Sequence, residues 1–98
     1  MPRLNFDISP ITVNGRTIRQ VIVDTHVRKH KDITDDVILD LVRQLDHSEQ
    51  LPDDVKGPYE YFSSFLYLRK KQYRLVWLLE QTEIYIGVIT AYRDKRKK

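Results

Sequence analysis

The chain has 98 residues, 41% of them apolar and 32% charged, and it carries no cysteine. That length supports one domain around one core, and the absence of thiols excludes disulfides and thiolate metal sites. The formal charge of +3 is uneven: Arg93-Asp94-Lys95-Arg96-Lys97-Lys98 carries +4, so the other 92 residues sum to −1.

The chain therefore reads as a near-neutral body with a basic tail at 94–98. Such a tail either draws phosphates through counterion release or acts as a solvated end that aids solubility. No apolar run approaches the ~18 residues of a membrane span. The segment Met1-Pro2-Arg3-Leu4-Asn5-Phe6-Asp7 lacks the apolar centre of a signal peptide. The expected location is cytoplasmic, with no membrane partner.

Residues 1–10 read as an irregular lead-in closed by Pro10. Ile11-Thr12-Val13 is β-prone, and Asn14-Gly15 after it is a strong hairpin signal. The return strand runs from Arg16 to about Val23, with Ile18, Val21, Ile22 and Val23 supplying β-branched bulk. Asp24 to Lys31 is polar, either a loop or a short helical turn. The clearest element is a helix whose apolar residues fall at Ile33, Val37, Ile38, Leu41, Val42 and Leu45, one face of a 3.6-residue period. Asp32 or Thr34 caps its start. Asp35 and Asp36 suit the positive end of its dipole and Arg43 the negative end, and it should stop near Asp46.

His47 to Pro58 reads as a loop. Three strands follow, at Glu60 to Leu68, Tyr73 to Glu80 and Glu83 to Arg93, joined by a charged turn at Arg69-Lys70-Lys71-Gln72 and a short one at Gln81-Thr82. The second alternates Tyr73, Leu75, Trp77 and Leu79 with Arg74, Val76, Leu78 and Glu80. The third puts Ile84, Ile86, Val88, Thr90 and Tyr92 on one face. Short connections require antiparallel pairing. The expected fold is a single α+β domain over 1–98, one amphipathic helix on an antiparallel sheet in the order β-β-α-β-β-β.

Chemistry can be sought in four places. His26 and His30, four apart, would share a helix face, but a metal needs a third ligand and only Asp24 or Asp32 is near. No metal or other cofactor is expected. The two imidazoles suit acid–base work better, since histidine titrates near neutral pH. Arg28, Lys29 and Lys31 would give that segment a phosphate-attracting potential, although a solvated polar lead-in to the helix explains it equally well.

Thr90, Tyr92 and Arg93 end the last strand, where arginine can clamp a phosphate and tyrosine can donate or stack. A fraying strand end is the plainer reading. Tyr59, Tyr61, Phe62, Phe65 and Tyr67 could stack on RNA bases, yet cross-strand and core packing is the commoner reason for such a run. Trp77 reads as core. No P-loop, nucleotide fingerprint or nucleophile elbow is present, which disfavours kinase, dehydrogenase and hydrolase-triad chemistry.

His26-Val27-Arg28-Lys29-His30-Lys31-Asp32-Ile33-Thr34 leads straight into the helix, and the last strand ends Val88-Ile89-Thr90-Ala91-Tyr92-Arg93. This pattern, over about residues 16–94, resembles the BrnT-like and RelE-like toxins of the barnase–EndoU–colicin–RelE group. The resemblance implies a RelE-like fold, metal-independent RNA cleavage and a cognate antitoxin protein. It implies catalytic roles for His26, His30, Thr90, Tyr92 and Arg93. Arg74 is a phosphate partner that matches no motif of the group. Under this reading His26 or His30 takes the 2′-hydroxyl proton, Arg93 with Arg74 stabilises the phosphate, and Tyr92 or the other histidine serves the leaving group. The alternative is a non-catalytic module that binds protein or nucleic acid.

Overall fold

The structure is a computed structural model that describes residues 3–24 and 33–93. Its strands are β1 (Arg3–Val13), β2 (Arg16–Asp24), β3 (Asp54–Lys56), β4 (Tyr59–Leu68), β5 (Lys71–Glu80) and β6 (Tyr85–Arg93), with one helix, α1 (Asp35–Arg43), between β2 and β3. All six strands form one sheet in the order β1-β2-β6-β5-β4-β3.

This corrects the expected fold. Among the described residues 63% are strand and 11% helical, and the sheet is mixed rather than antiparallel. It joins an antiparallel hairpin, β1–β2, to an antiparallel four-strand meander, β3 to β6. The join is a parallel pairing of β2 with β6, Val21 opposite Ile86 and Val23 opposite Val88. Every short connection does give an antiparallel pair. Chain-local reasoning is blind to the join because about sixty residues of chain separate its partners.

One strand is longer than expected and one is additional. β1 starts at Arg3 rather than Ile11, so residues 3–10 are strand instead of an irregular lead-in. Leu4, Phe6 and Ile8 alternate with exposed Asn5, Asp7 and Ser9, and the three apolar side chains pack against the core. Pro10 does not end the strand. It falls where the register shifts between Asp7 and Ile11, on an edge strand, so its missing N–H breaks no ladder. β3 is three exposed residues inside the expected loop, paired to β4 across Gly57-Pro58. Gly57 has φ 61°, the conformation a tight turn asks of glycine.

The β1–β2 turn is the Asn14-Gly15 pair, with φ of 51° and 75°. The β4–β5 turn is Arg69-Lys70, two residues rather than the expected four, and it places two ordinary side chains at φ 53° and 69°. Left-handed backbone of this kind costs a non-glycine residue about 1–2 kcal/mol.

α1 is capped by Thr34, whose hydroxyl accepts from Val37 N at 3.3 Å. Its end tightens into i→i+3 bonds, Gln44 N to Leu41 O and Leu45 N to Val42 O. Val37, Ile38, Leu41 and Val42 are buried and join the sheet's core residues: Ile18, Val21, Val23, Phe62, Leu75, Trp77, Leu79, Ile86 and Val88. Each such side chain contributes roughly 1.5–3 kcal/mol by leaving water.

A polar thread through the core starts at Trp77, fully buried and stacked on Phe62 at 4.2 Å between ring centroids. Its Nε1 donates to Ser64 Oγ at 3.0 Å, and Ser64 Oγ donates to Gln50 Oε1 at 2.7 Å. Gln50 continues to the hairpin tip: its N donates to Asn14 Oδ1 at 2.7 Å, and Asn14 Nδ2 donates to Gln50 O at 3.0 Å.

Two outcomes follow from these contacts. Ser64→Ala leaves the buried indole N–H without an acceptor and should cost about 1–3 kcal/mol, read as a lower urea midpoint at unchanged slope. Lys70→Gly relieves the left-handed strain and should add about 1 kcal/mol, raising Tm by roughly 4–8 °C in a domain this size.

Candidate functional site

Side chains alternate along a strand, so each strand divides its residues between two faces. On β5, Tyr73, Leu75, Trp77 and Leu79 are buried on the face that carries α1, and Arg74, Val76, Leu78 and Glu80 are half-buried on the other. The register extends the second set. Tyr59, Tyr61, Ser63, Phe65 and Tyr67 of β4 stand opposite Glu80, Leu78, Val76, Arg74 and Gln72. On β6, Gly87, Thr90 and Tyr92 stand opposite Leu78, Val76 and Arg74. No described element packs on this open face.

The face results from a shift in parity. The β5–β6 register slips between Val76 and Trp77, so Ile89 has no partner. Ile86 and Val88 therefore point into the core, whereas Thr90 and Tyr92 emerge on the open side. The sequence expectation of one face for Ile84, Ile86, Val88, Thr90 and Tyr92 is thus divided, and Ile84 lies before the strand, 48% exposed. The aromatic run divides as well. Phe62 is 1% exposed in the core, while Tyr59, Tyr61, Phe65 and Tyr67 occupy the open face.

Of the residues expected to form a site, the structure brings Arg74, Thr90 and Tyr92 together. Arg74 and Tyr92 are direct cross-strand partners, and directly opposed residues are close enough to touch. Arg93 is not with them. It pairs with buried Tyr73 and so belongs to the α1 side of the sheet. The guanidinium on the same face as Tyr92 is Arg74, the one that sequence motifs did not single out. His26, His30, Arg28, Lys29 and Lys31 lie outside the described residues.

Arg74 is held in an unusual setting. Its guanidinium sits 5.0 Å from the centroid of the Phe65 ring. One Nη2 bond, 3.4 Å long, reaches Ser63 Oγ, which itself donates to Asp53 Oδ2 at 2.8 Å. Among the described residues no carboxylate pairs with Arg74, and its Nε is buried with no hydrogen-bond partner. A half-buried cation with an idle donor is costly to keep, and an anionic oxygen brought to the guanidinium would offset that cost.

A hollow of about 390 Å³ opens further along the same face. Its floor is Ile22, Leu78 and Gly87, its walls include Tyr59, Tyr61 and Tyr85, and Asp24 stands at one end. Sequence reasoning missed Ile22, Tyr85 and Gly87 as site residues and considered Asp24 only as a third metal ligand. The available signal was Gly87, a lone glycine in an otherwise β-rich run, which marks a bulge or a close approach.

Among the described residues no cluster of three His, Asp or Glu could hold a metal, and no helix is long and apolar enough to cross a membrane. Compared with protein-family models, curated proteins and solved structures, the chain matches none.

Arg74→Met replaces the idle donor and the uncompensated charge by an apolar chain of similar length. Folding stability should stay within about 1 kcal/mol of wild type or rise, since the lost cation–π contact is worth only ~0.5–1 kcal/mol. Chemical denaturation followed by Trp77 fluorescence checks this.

Proposed function

We propose that this chain acts on single-stranded RNA, binding the strand across the open face of the sheet and cleaving it without a metal, as a ribonuclease of toxin type. One observation supports the binding half above all. Arg74, a half-buried guanidinium with no carboxylate partner among the described residues, stands among Phe65, Tyr67 and Tyr92 on a face that no described element covers.

Unpaired bases stack on aromatic rings, at about 1–3 kcal/mol per base, while a guanidinium pairs with phosphate oxygens through two parallel donors. A flat face studded with rings suits unpaired bases, because paired bases keep their faces inside a duplex. The near-neutral body is consistent with this balance, since stacking needs no excess of positive charge.

The cleavage half rests on the sequence resemblance. The 2′-hydroxyl oxygen attacks the adjacent phosphorus and the bond from phosphorus to the 5′ oxygen breaks. The products are a 2′,3′-cyclic phosphate and a 5′-hydroxyl. A base removes the 2′-hydroxyl proton and an acid delivers one to the departing 5′ oxygen. Arg74 would stabilise charge on the phosphate, and the neighbouring Tyr92 phenol is a candidate proton donor. The base is assigned to His26 or His30, outside the described residues.

The test is incubation of the pure protein with an end-labelled single-stranded RNA in excess EDTA. Wild type should bind and cut it, leaving cyclic phosphate ends. Arg74→Met should weaken binding by roughly tenfold or more, and His26→Ala with His30→Ala should bind normally without cutting. Binding without cleavage by wild type removes the catalytic half of the reading, and no binding removes it all.

A further inference from the structure

The hollow beside Gly87 is a second feature of the open face, separate from Arg74. Leu78 in its floor lies four positions along β5 from Arg74, about 13 Å at the rise of a strand. We infer that this hollow is a base-selective pocket that takes one guanine, with the Asp24 carboxylate reading its Watson–Crick edge; the inference rests on the proposal that the open face binds RNA.

The shape comes from the backbone. Gly87 pairs with Leu78 on one side and Ile22 on the other, in the middle of the sheet. Glycine there forgoes side-chain packing and carries an entropic cost of about half to one kcal/mol relative to alanine in a strand interior. A Cβ on Gly87 would stand 3.0 Å from both Cγ and Cδ1 of Leu78. Leu78 therefore lies over the glycine and takes the space that a side chain there would need, and the two residues together form a low apolar floor. The close approach that a strand glycine marks is here that of Leu78.

The walls are aromatic, and one of them is held by a hydrogen bond. Tyr85 donates its hydroxyl proton to Glu80 Oε1 at 2.6 Å, which pins its ring at the rim. Tyr59 and Tyr61 stand with centroids 6.5 Å apart and planes inclined by 51°, so one ring can lie against a planar guest while the other borders its edge. A ring held before binding, as Tyr85 is, loses little freedom on binding. A volume of about 390 Å³ is at the low end for small-molecule sites and suits one flat heterocycle better than an extended peptide.

Asp24 decides which heterocycle. An ionised carboxylate only accepts, and its two oxygens offer about four lone-pair sites, enough to serve a second partner besides one already held. Guanine offers two adjacent donors on its Watson–Crick edge, N1–H and the exocyclic amino group, spaced to meet both oxygens. Adenine puts an acceptor at N1. Cytosine offers one donor beside an acceptor, and uracil one donor between two carbonyls. Only guanine satisfies both oxygens with no repulsive atom opposite.

The experiment uses uridine oligonucleotides that carry a single central guanosine, inosine or adenosine. Wild type should prefer guanosine over adenosine on the order of tenfold or more. Inosine, which lacks the amino group, should fall between. Asp24→Asn should remove the preference while keeping Arg74-dependent binding to all three. Gly87→Ala, which raises the floor, should reduce the preference with Asp24 intact. Equal affinities in wild type, or a preference that survives Asp24→Asn, overturn the pocket and leave the RNA reading standing.

A second arm needs no RNA strand. Guanosine monophosphate and adenosine monophosphate are titrated separately while the Gly87 amide is followed by NMR. Guanosine monophosphate should shift that amide at about tenfold lower concentration, and indifference to both nucleotides overturns the inference. A response to guanosine monophosphate without binding of any oligonucleotide keeps the pocket and removes the RNA reading.

Discussion

The parallel pairing of β2 with β6 is the constraint on which the molecule depends. It is short, four matched pairs from Gln20–Tyr85 to Val23–Val88, and it alone fuses the hairpin and the meander into one sheet. Parallel pairing is slightly weaker per residue than antiparallel pairing, so a four-pair join needs support. Side chains supply it on the α1 side, where Val21, Val23, Ile86 and Val88 are all buried. The hairpin tip supplies it at the far end. Asn14 and Gln50 exchange two hydrogen bonds, His47 N donates to Thr12 O, and Asn14 N donates to Ser48 O. The loop after α1 thus ties the hairpin to β4 through Gln50 and Ser64, and to the centre of the core through Trp77.

The same join creates the candidate site. Without it Ile22 and Asp24 would stand on an isolated hairpin, away from Leu78, Gly87 and Tyr85. The slip at Ile89 then turns Thr90 and Tyr92 toward the open face, where Arg74 and the β4 aromatics stand. Two irregularities, a parallel seam and a bulge, therefore place the unusual residues on one surface. Both are non-local, and both act by deciding which side of a pleated strand a residue faces.

Legibility in the sequence followed the range of each signal. Asn14-Gly15 announces its hairpin because both residues tolerate positive φ, a property of the residues alone. The α1 stripe at Val37, Ile38, Leu41 and Val42 is legible for the same reason, since its period arises within nine residues. β1 is legible too, in the alternation of Leu4, Phe6 and Ile8, because Pro10 interrupts an edge strand without breaking its ladder. β3 was not, because three exposed residues carry no pattern and owe their strand to β4. The β2–β6 seam could not be read at all. For the site, Arg74, Thr90 and Tyr92 were named from chemistry, but the partition that separates Arg93 from Tyr92 follows from pairing with Tyr73 and Arg74. Asp24 and Gly87 become neighbours only through the seam.

Local rules are violated at few described positions, and two of these lie on the open face. A glycine in the middle of a central strand gives up packing and a β-branched neighbour's stiffness. An arginine with a buried, idle Nε gives up hydrogen bonding that the core's other polar group, Ser64, fully obtains. A side chain at the first position would crowd Leu78, whose Cγ and Cδ1 lie 3.0 Å from where its Cβ would stand, whereas folding alone would place an apolar or neutral chain at the second. Lys70 is also irregular, but its strain belongs to a tight turn at the surface. When a sequence departs from what stability favours, function is the usual cause. Here Arg74 and Gly87 share a face and flank a row of tyrosines, one offering charge and the other letting Leu78 lie across the backbone in the floor of the hollow. That conjunction, rather than either residue alone, is the physical ground for assigning recognition to the open side of the sheet.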